Sequence, residues 1–391
     1  MASIDIIEME QLVNESAYPQ LRLNVSALER NISIMAAWCR DRNVVLAPHV
    51  KTTMSAPIID RQMAAGAVGV TVATVDQVHT VLGWGHKNIV VANQVVDSYG
   101  LGRIRAWLEA DVSQNVCIFA DSADAVAVAA SVFDGSARPL EMLIDAGTLA
   151  GRTGVRSAAE ARDVAAAITA APGLRLVGVA GYEGVVPNSR DAINLDAVDH
   201  HCQLVHDIHV DLAGQFETSS PIFSMGGSAF PDRVIEFLPS PAAVPGTVNV
   251  LRSGCYATHD HGTYAGVNPI PGLTPALTVR ALVVSAPEDG LVVAGAGKRD
   301  LPYDAGLPPF LGAYSAAGVA KPGAAAKVHK LFDHHAVLLG AEGLAVTDIV
   351  ELGISHPCSA FDRWPEYLVT DDSGTVIDLW RTDFHRESIG Y

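Results

Sequence analysis

Eight short apolar runs, each followed by a stretch with helical periodicity, constrain the fold of this chain more than any other feature. They occupy residues 43–51 (NVVLAPHVK), 69–74 (GVTVAT), 88–93 (NIVVAN), 116–121 (VCIFAD), 140–147 (LEMLIDAG), 174–184 (LRLVGVAGYEG), 221–228 (PIFSMGGS) and 248–256 (VNVLRSGCY). The stretches at 54–66, 75–83, 98–110, 122–132, 157–171, 190–213 and 231–238 are rich in Ala, Leu and Arg and read as amphipathic helices. Near-continuous apolar strands alternating with helices imply a parallel sheet covered on both faces. Eight such units in roughly 230 residues match the length of a (β/α)8 barrel, with an open, doubly wound sheet as the alternative.

After about residue 266 the pattern changes to shorter runs, LTVRALVVSA, GLVVAGAG, AVLLG, DIVELGI, EYLVTDD and TVIDLW, separated by Gly, Pro and Asp. These read as a second, mostly antiparallel β domain. The expected division is a barrel over residues 22–266, with 1–21 and 267–391 forming the β domain and the first twenty residues adding a strand to it. A Gly/Ala/Pro-rich stretch at 304–325 interrupts the pattern.

The formal charge of -17 is spread along the chain without an acidic tail and argues against nucleic acid or an anionic membrane as partner. No run of about 18 apolar residues occurs, and the start MASIDIIEMEQ lacks signal-peptide regions, so a cytoplasmic protein is expected. Cys39, Cys117, Cys202, Cys255 and Cys358 show no CxxC spacing and read as reduced thiols.

Catalytic groups of a (β/α)8 barrel sit at the carboxyl ends of its strands. Here those ends carry His49 and Lys51, Thr74, Asn93, Asp121, Asp145 with Arg152 beyond it, Tyr182 with Glu183, Ser224 to Ser228, and Arg252 to Tyr256. The SMGGSAF stretch offers backbone N–H groups to an anion, in loops where barrel enzymes bind phosphate, or else forms a plain tight turn. Lys51 is either a surface cation or, with a phosphate site opposite, an amine for Schiff-base chemistry. Together these features make pyridoxal 5'-phosphate the leading cofactor.

The blocks PHVKTTMSAPIIDRQMAAGAVGVTVATVDQV, DAGTLAGRTGV, GYEGVV, RSGCY and SHPCSAFDRW resemble the D-threonine aldolase and D-serine dehydratase family of fold-type III pyridoxal-phosphate enzymes, relatives of alanine racemase. The KTTM, VVANQ and SHPC forms are most similar to the bacterial amino acid deaminase branch. The resemblance implies that Lys51 carries the cofactor and does catalysis with His49 of the H-x-K element beside it. It implies Arg152 near the ring hydroxyl, Tyr182 against the ring, and Ser224, Gly226, Gly227, Ser228 and Tyr256 at the phosphate. By similarity to alanine racemases, over a shorter spacing, Arg252 would meet the pyridine nitrogen.

In ISHPCSAFDRW, His356 and Cys358 are two apart, so an extended segment would present both on one face, and imidazole plus thiolate suits zinc. The resemblance implies that D-serine dehydratases bind zinc through such a His-x-Cys pair, whereas aldolases carry His-x-Asp with Mn or Mg. Asp362 is a further candidate ligand. His334 and His335 are either near the metal, as the resemblance implies, or ordinary core or interface histidines. His259 and His261 read as loop residues, with the substrate pocket as the alternative, and His200, His201 and His206 as exposed helix positions.

The expected activity is a pyridoxal-phosphate- and zinc-dependent dehydratase/deaminase that converts a D-3-hydroxy amino acid of the D-serine, D-threonine or phenylserine type into a 2-oxo acid and ammonia. The alternatives are retro-aldol cleavage to glycine and an aldehyde, or a non-catalytic pyridoxal-phosphate carrier. A racemase would need two opposed proton donors and no metal. A homodimer is implied by analogy with fold-type III enzymes.

Overall fold

A computed structural model describes residues 17–184 and 186–384 of the chain. Residues 1–16, part of the segment expected to add a strand, lie outside the described residues. Strand β1 (Gln20–Asn24) leads into helix α1 (Val25–Asp41), and β1 straddles residue 22, where the sequence reading began the barrel.

All eight apolar runs form strands: β2 (Val45–Leu46), β3 (Val70–Val72), β4 (Asn88–Gln94), β5 (Asn115–Ala120), β6 (Leu140–Ala146), β7 (Leu174–Gly181), β8 (Ile222–Met225) and β9 (Val248–Leu251). Their order in the sheet is β2-β9-β8-β7-β6-β5-β4-β3, every pairing parallel. The two ends of this path meet through a parallel bridge between His49 and Thr71, where the Thr71 N–H donates to Pro48 O at 2.9 Å. The sheet is therefore a closed (β/α)8 barrel, and the doubly wound alternative is excluded.

Between the strands lie α2 (Ala56–Ala64), α3 (Val75–Gly83), α4 (Ser98–Ala110), α5 (Ala123–Phe133), α6 (Ala158–Thr169), α7 (Ala192–Asp211) and the single turn α8 (Pro231–Val234). Side-chain oxygens of Thr74, Asp97, Ser122, Ser157 and Asp191 each accept an N–H in the first turn of their helix. Each cap is worth about 1 kcal/mol and fixes where a loop at the barrel mouth ends and a helix begins.

The continuous apolar character of the strands has two destinations. Cys117, Phe119, Leu143, Val177 and Ala180 pack with Val90, Ala92 and Ile222 as one cluster. Ala92 and Phe119 also face the cavity at the barrel mouth, so this cluster is the barrel interior. Alternate residues such as Val116, Ile118, Met142 and Ile144 join the larger core beneath the helices.

The second sheet comprises β1 with β10 (Leu277–Glu288), β11 (Leu291–Ala294), β12 (Phe310–Tyr314), β13 (Lys327–Leu331), β14 (Ala336–Leu339), β15 (Ile349–Gly353), β16 (Glu366–Thr370) and β17 (Val376–Arg381). Its main path is β13-β14-β11-β10-β1-β16-β17, with β15 pairing β10 and β12, and only the β1–β16 pair is parallel. Strands β12 and β13 had no counterpart among the apolar runs. β12 lies in the Gly/Ala/Pro-rich stretch, and β13 is an end strand with Lys327, His329 and Lys330 exposed.

Hydrogen bonds tie this sheet to the barrel mouth. Ser55 and Tyr367 hydroxyls lie 2.6 Å apart, Asp383 N donates to Met54 O at 2.7 Å, and Trp84 Nε1 donates to Asp383 Oδ2 at 3.0 Å. They hold residues 354–363, which follow β15, over the carboxyl ends of the barrel strands. Among the described residues, no helix is long and apolar enough to cross a membrane.

Candidate active site

A cavity of about 510 Å³ opens at the carboxyl ends of the barrel strands. His49, Lys51, Arg152, Tyr182, Gly226, Gly227, Ser228, Arg252, His356 and Cys358 all line it, which brings together residues from five strand ends and from the β domain.

Lys51 sits at the centre of a 3₁₀ turn, Val50–Thr52, that follows β2. Gly254 allows this placement, because a Cβ there would lie 2.5 Å from His49 O and 2.9 Å from Thr52 Oγ1. His49 Nδ1 is buried without a hydrogen-bond partner. Burial, with the charges of Lys51, Arg252 and Arg152, holds the imidazole well below its ordinary pKa, so it is neutral.

Arg152 lies with its guanidinium 4.7 Å from the centre of the Tyr182 ring. Its loop is pinned from beneath by a network that sequence reasoning missed. Gln94 Nε2 donates to Asp121 Oδ2 (3.1 Å) and Asp145 Oδ2 (2.9 Å); Thr153 Oγ1 donates to Asp145 Oδ2 (2.8 Å) and Gly154 N to Asp121 Oδ2 (2.9 Å). Burial raises the Asp145 carboxyl and pushes the Tyr182 phenol up to about 12, the latter with help from Glu183.

The Gly226 and Gly227 amides, expected at a phosphate, are already engaged. Glu183, fully buried, accepts from Gly226 N at 3.2 Å and Gly227 N at 2.6 Å, and burial raises its carboxyl pKa. Ser224 is likewise displaced from the expected place: it is buried inside β8, outside the cavity lining, and its Oγ accepts from Arg252 Nη1 at 2.5 Å. A second bond, Arg252 Nη2 to Gly181 O at 2.6 Å, fixes the guanidinium, and burial lowers its pKa. Ser228 does face the cavity, and its Oγ accepts from Cys255 N at 3.2 Å.

Tyr256 turns away from the cavity. Its hydroxyl accepts from Gln62 Nε2 at 2.7 Å in the core, because the 3₁₀ turn Cys255–Ala257 rotates the side chain outward. Tyr264, not singled out in the sequence, lines the cavity instead. It is 4 % exposed, and its hydroxyl has no hydrogen-bond partner among the described residues. Asp260 holds its loop by accepting from Gly262 N and Tyr264 N, both at 2.9 Å. The Asp-x-Gly spacing in HDHGTY was the available signal for that turn.

Pro357–Ser359 form a 3₁₀ turn, not the extended segment expected, yet His356 and Cys358 still meet. His356 Nδ1 lies 2.6 Å from Asp304 Oδ2, and bonds to Cys358 and Asp304 raise the imidazole to about 9. Cys358 Sγ lies 3.2 Å from Cys255 Sγ and 3.3 Å from Thr52 Oγ1. Hydrogen bonding from Cys255, then from His356, draws Cys358 well below the ordinary thiol pKa, while Cys255 is driven well above it. Asp362 pairs with Arg363, and His334 and His335 are exposed in the turn between β13 and β14; none of the three lines the cavity. Among the described residues, no three His, Cys, Asp or Glu side chains already form a metal-binding group.

His259, expected in a loop, is buried at φ 52° against the Tyr264 ring, and His261 is half-buried; neither lines the cavity. Of the helix histidines expected at the surface, His200 is exposed and His206 bonds to Phe237 O, but His201 is 4 % exposed with neither ring nitrogen hydrogen-bonded.

A closed parallel barrel whose mouth is capped by a β sheet, with a lysine on the first barrel strand end, defines the alanine racemase class of enzymes. Residues 23–230 match the family described as alanine racemase, N-terminal domain, and the chain belongs to it. Residues 276–370 match the putative serine dehydratase domain. The chain is 25 % identical to a D-threonine aldolase of Arthrobacter sp over 93 % of its length and 91 % of that protein's. It is 26 % identical to a 3-hydroxy-D-aspartate aldolase of Paracoccus denitrificans, covering 94 % and 92 % of the two chains. Among solved structures it resembles D-threonine aldolase from Filomicrobium marinum (TM-score 0.78, 24 % identity, 94 % and 95 % covered). It also resembles D-threo-3-hydroxyaspartate dehydratase from Delftia sp. HT23 (TM-score 0.76, 20 % identity, 95 % and 99 % covered).

Proposed function

We propose that this protein is a pyridoxal-phosphate- and metal-dependent lyase acting on D-3-hydroxy amino acids, with dehydration to a 2-oxo acid and ammonia as its reaction. The observation that carries the reading is the contact of Thr52 Oγ1 with Cys358 Sγ at 3.3 Å. It joins the turn bearing Lys51 to the His356–Cys358 pair, so an amine and a metal-ligating pair face one cavity.

The residues present fit both groups. Tyr264 Oη and His49 Nδ1 are buried polar atoms without partners at the cavity wall, an arrangement that is costly unless a ligand satisfies them. Lys51, Arg152 and Arg252 supply the positive field an anionic cofactor needs. For the metal, a thiolate and an imidazole whose far nitrogen is held by Asp304 are donors prepared for zinc.

When bound, pyridoxal phosphate spreads the negative charge that develops at the α carbon, and zinc makes the β-hydroxyl a better leaving group. Lys51 Nζ holds the cofactor and, once released, accepts the α proton. Arg252, held by Ser224 and Gly181, would offer a fixed donor to the pyridine nitrogen, and Arg152, stacked on Tyr182, would serve the ring hydroxyl. His356 and Cys358 place the departing hydroxyl near Lys51, so proton removal and hydroxide loss occur across one α–β bond. The enamine released hydrolyses to a 2-oxo acid and ammonia.

Retro-aldol cleavage to glycine and an aldehyde is the second reading, favoured by the aldolase names of the relatives that match over 93 % and 94 % of the chain. A cysteine at position 358 favours dehydration, since it selects zinc over harder ions. The deciding experiment incubates the zinc-supplemented protein with D-serine, D-threonine and D-threo-phenylserine and assays ammonia, 2-oxo acid and glycine together, with Lys51→Ala as control. Ammonia with a 2-oxo acid supports the dehydratase; glycine with an aldehyde replaces it by the aldolase; neither product overturns both. The reading includes a homodimer, by analogy with the class, which sedimentation tests.

A further inference from the structure

One sulfur in the cavity has no role in the chemistry above. Cys255 Sγ lies 3.2 Å from Cys358 Sγ and 3.9 Å from Thr52 Oγ1, and Cys255 lines the same cavity as His356. We propose that Cys255 is a third protein ligand of the metal, completing a two-sulfur, one-imidazole site with Cys358 and His356. The inference rests on the reading of that pair as a metal site.

The spacing of the sulfurs sets what an ion must do. Two sulfurs on one tetrahedral zinc, each at about 2.3 Å, stand about 3.8 Å apart. Cys255 and Cys358 therefore have to part by roughly half an ångström, a side-chain rotation, for the three donors to close around a point. As they stand, the donors among the described residues do not close around one.

The position of Cys255 also joins two parts of the site. It is the first residue of the turn Cys255–Ala257; its amide donates to Ser228 Oγ at 3.2 Å, and its side chain faces Cys358. Three protein donors leave one tetrahedral position for a substrate hydroxyl, the arrangement of a catalytic rather than a closed zinc site. Two thiolates also select against Mg and Mn, which prefer oxygen ligands. The metal preference, and with it the bias towards dehydration, is then set by two cysteines 103 residues apart in the chain.

The test is zinc K-edge X-ray absorption on the reduced, full-length protein loaded with one equivalent of zinc, with zinc affinity measured by competition against a chromophoric chelator. The expected spectrum contains two sulfur scatterers. Cys255→Ser should show one, with a zinc Kd raised more than about 100-fold, beyond the loss typical of a residue that only supports a ligand. One sulfur in the native protein, with an unchanged Kd in Cys255→Ser, overturns the assignment while leaving the His356–Cys358 reading intact. Failure of the native protein to bind zinc removes both.

Discussion

Asp304 Oδ2 lies 2.6 Å from His356 Nδ1, across 52 residues of sequence. The carboxylate fixes the ring and makes its other nitrogen a stronger donor. Asp304→Asn keeps the shape and removes the charge. Zinc affinity is expected to fall about 10- to 100-fold, read by chelator competition, while pyridoxal-phosphate content stays at the native level.

Tyr264 lines the cavity, whereas Tyr256, which the resemblance placed at the phosphate, bonds to Gln62 in the core. Tyr264→Phe should weaken pyridoxal-phosphate binding by roughly tenfold, the worth of one hydrogen bond to a charged group, measured by cofactor fluorescence titration. Tyr256→Phe leaves Gln62 without its buried acceptor. It should cost about 1–3 kcal/mol in urea unfolding with little effect on cofactor affinity. The opposite pattern would return Tyr256 to the cofactor.

Gln94 spans Asp121 and Asp145 and so pins the loop bearing Arg152. Gln94→Leu removes both donors and leaves two carboxylates facing each other. The expected result is a folded protein whose kcat/KM falls by about tenfold or more from misplacement of the loop. Gln94→Asn should not rescue it, and unchanged kinetics in Gln94→Leu would separate the network from the chemistry.

His201 and His209 are buried, and burial depresses each imidazole to about 4. An unfolded histidine titrates near 6.5, so between about pH 6.5 and 4 the unfolded chain binds more protons and stability falls with falling pH. Above pH 6.5 the two contribute their full stabilisation, on the order of 1–3 kcal/mol each at most. His201→Leu should flatten the urea midpoint across that interval in part, since burial depresses His49, His259 and His261 as well; an unaltered slope would assign it to other groups.

Barrel strands were legible because both their faces are buried, which leaves near-continuous apolar runs, and because helical stretches separate them at regular intervals. Strand β13, at the end of its sheet path, has no such requirement, and its sequence KVHKL carries no equivalent signal. At the site, residues at strand ends were readable because topology alone puts them at the mouth. What spacing does not encode is rotation. Ser224 and Ser228 both belong to the same run, yet one lies within the strand bonded to Arg252 and the other beyond it facing the cavity. Asp304 and Tyr264 come from loops whose sequences announce no chemistry, and although Gln94 ends the VVANQ form, only the folded chain shows that it spans Asp121 and Asp145.

The barrel closes through strand β2, which has two residues, and through the bridge between His49 and Thr71. The proposed reactive amine stands two residues past that bridge, at the thinnest seam in the hoop. A molecule anchored to Lys51 and gripped by Ser228 and Arg252 would clasp the two-residue stave β2 to its neighbours β9 and β8. Occupancy of the site and integrity of the barrel then rise and fall together. The lifetime of the empty chain among proteases would become a gauge of how much cofactor its surroundings supply.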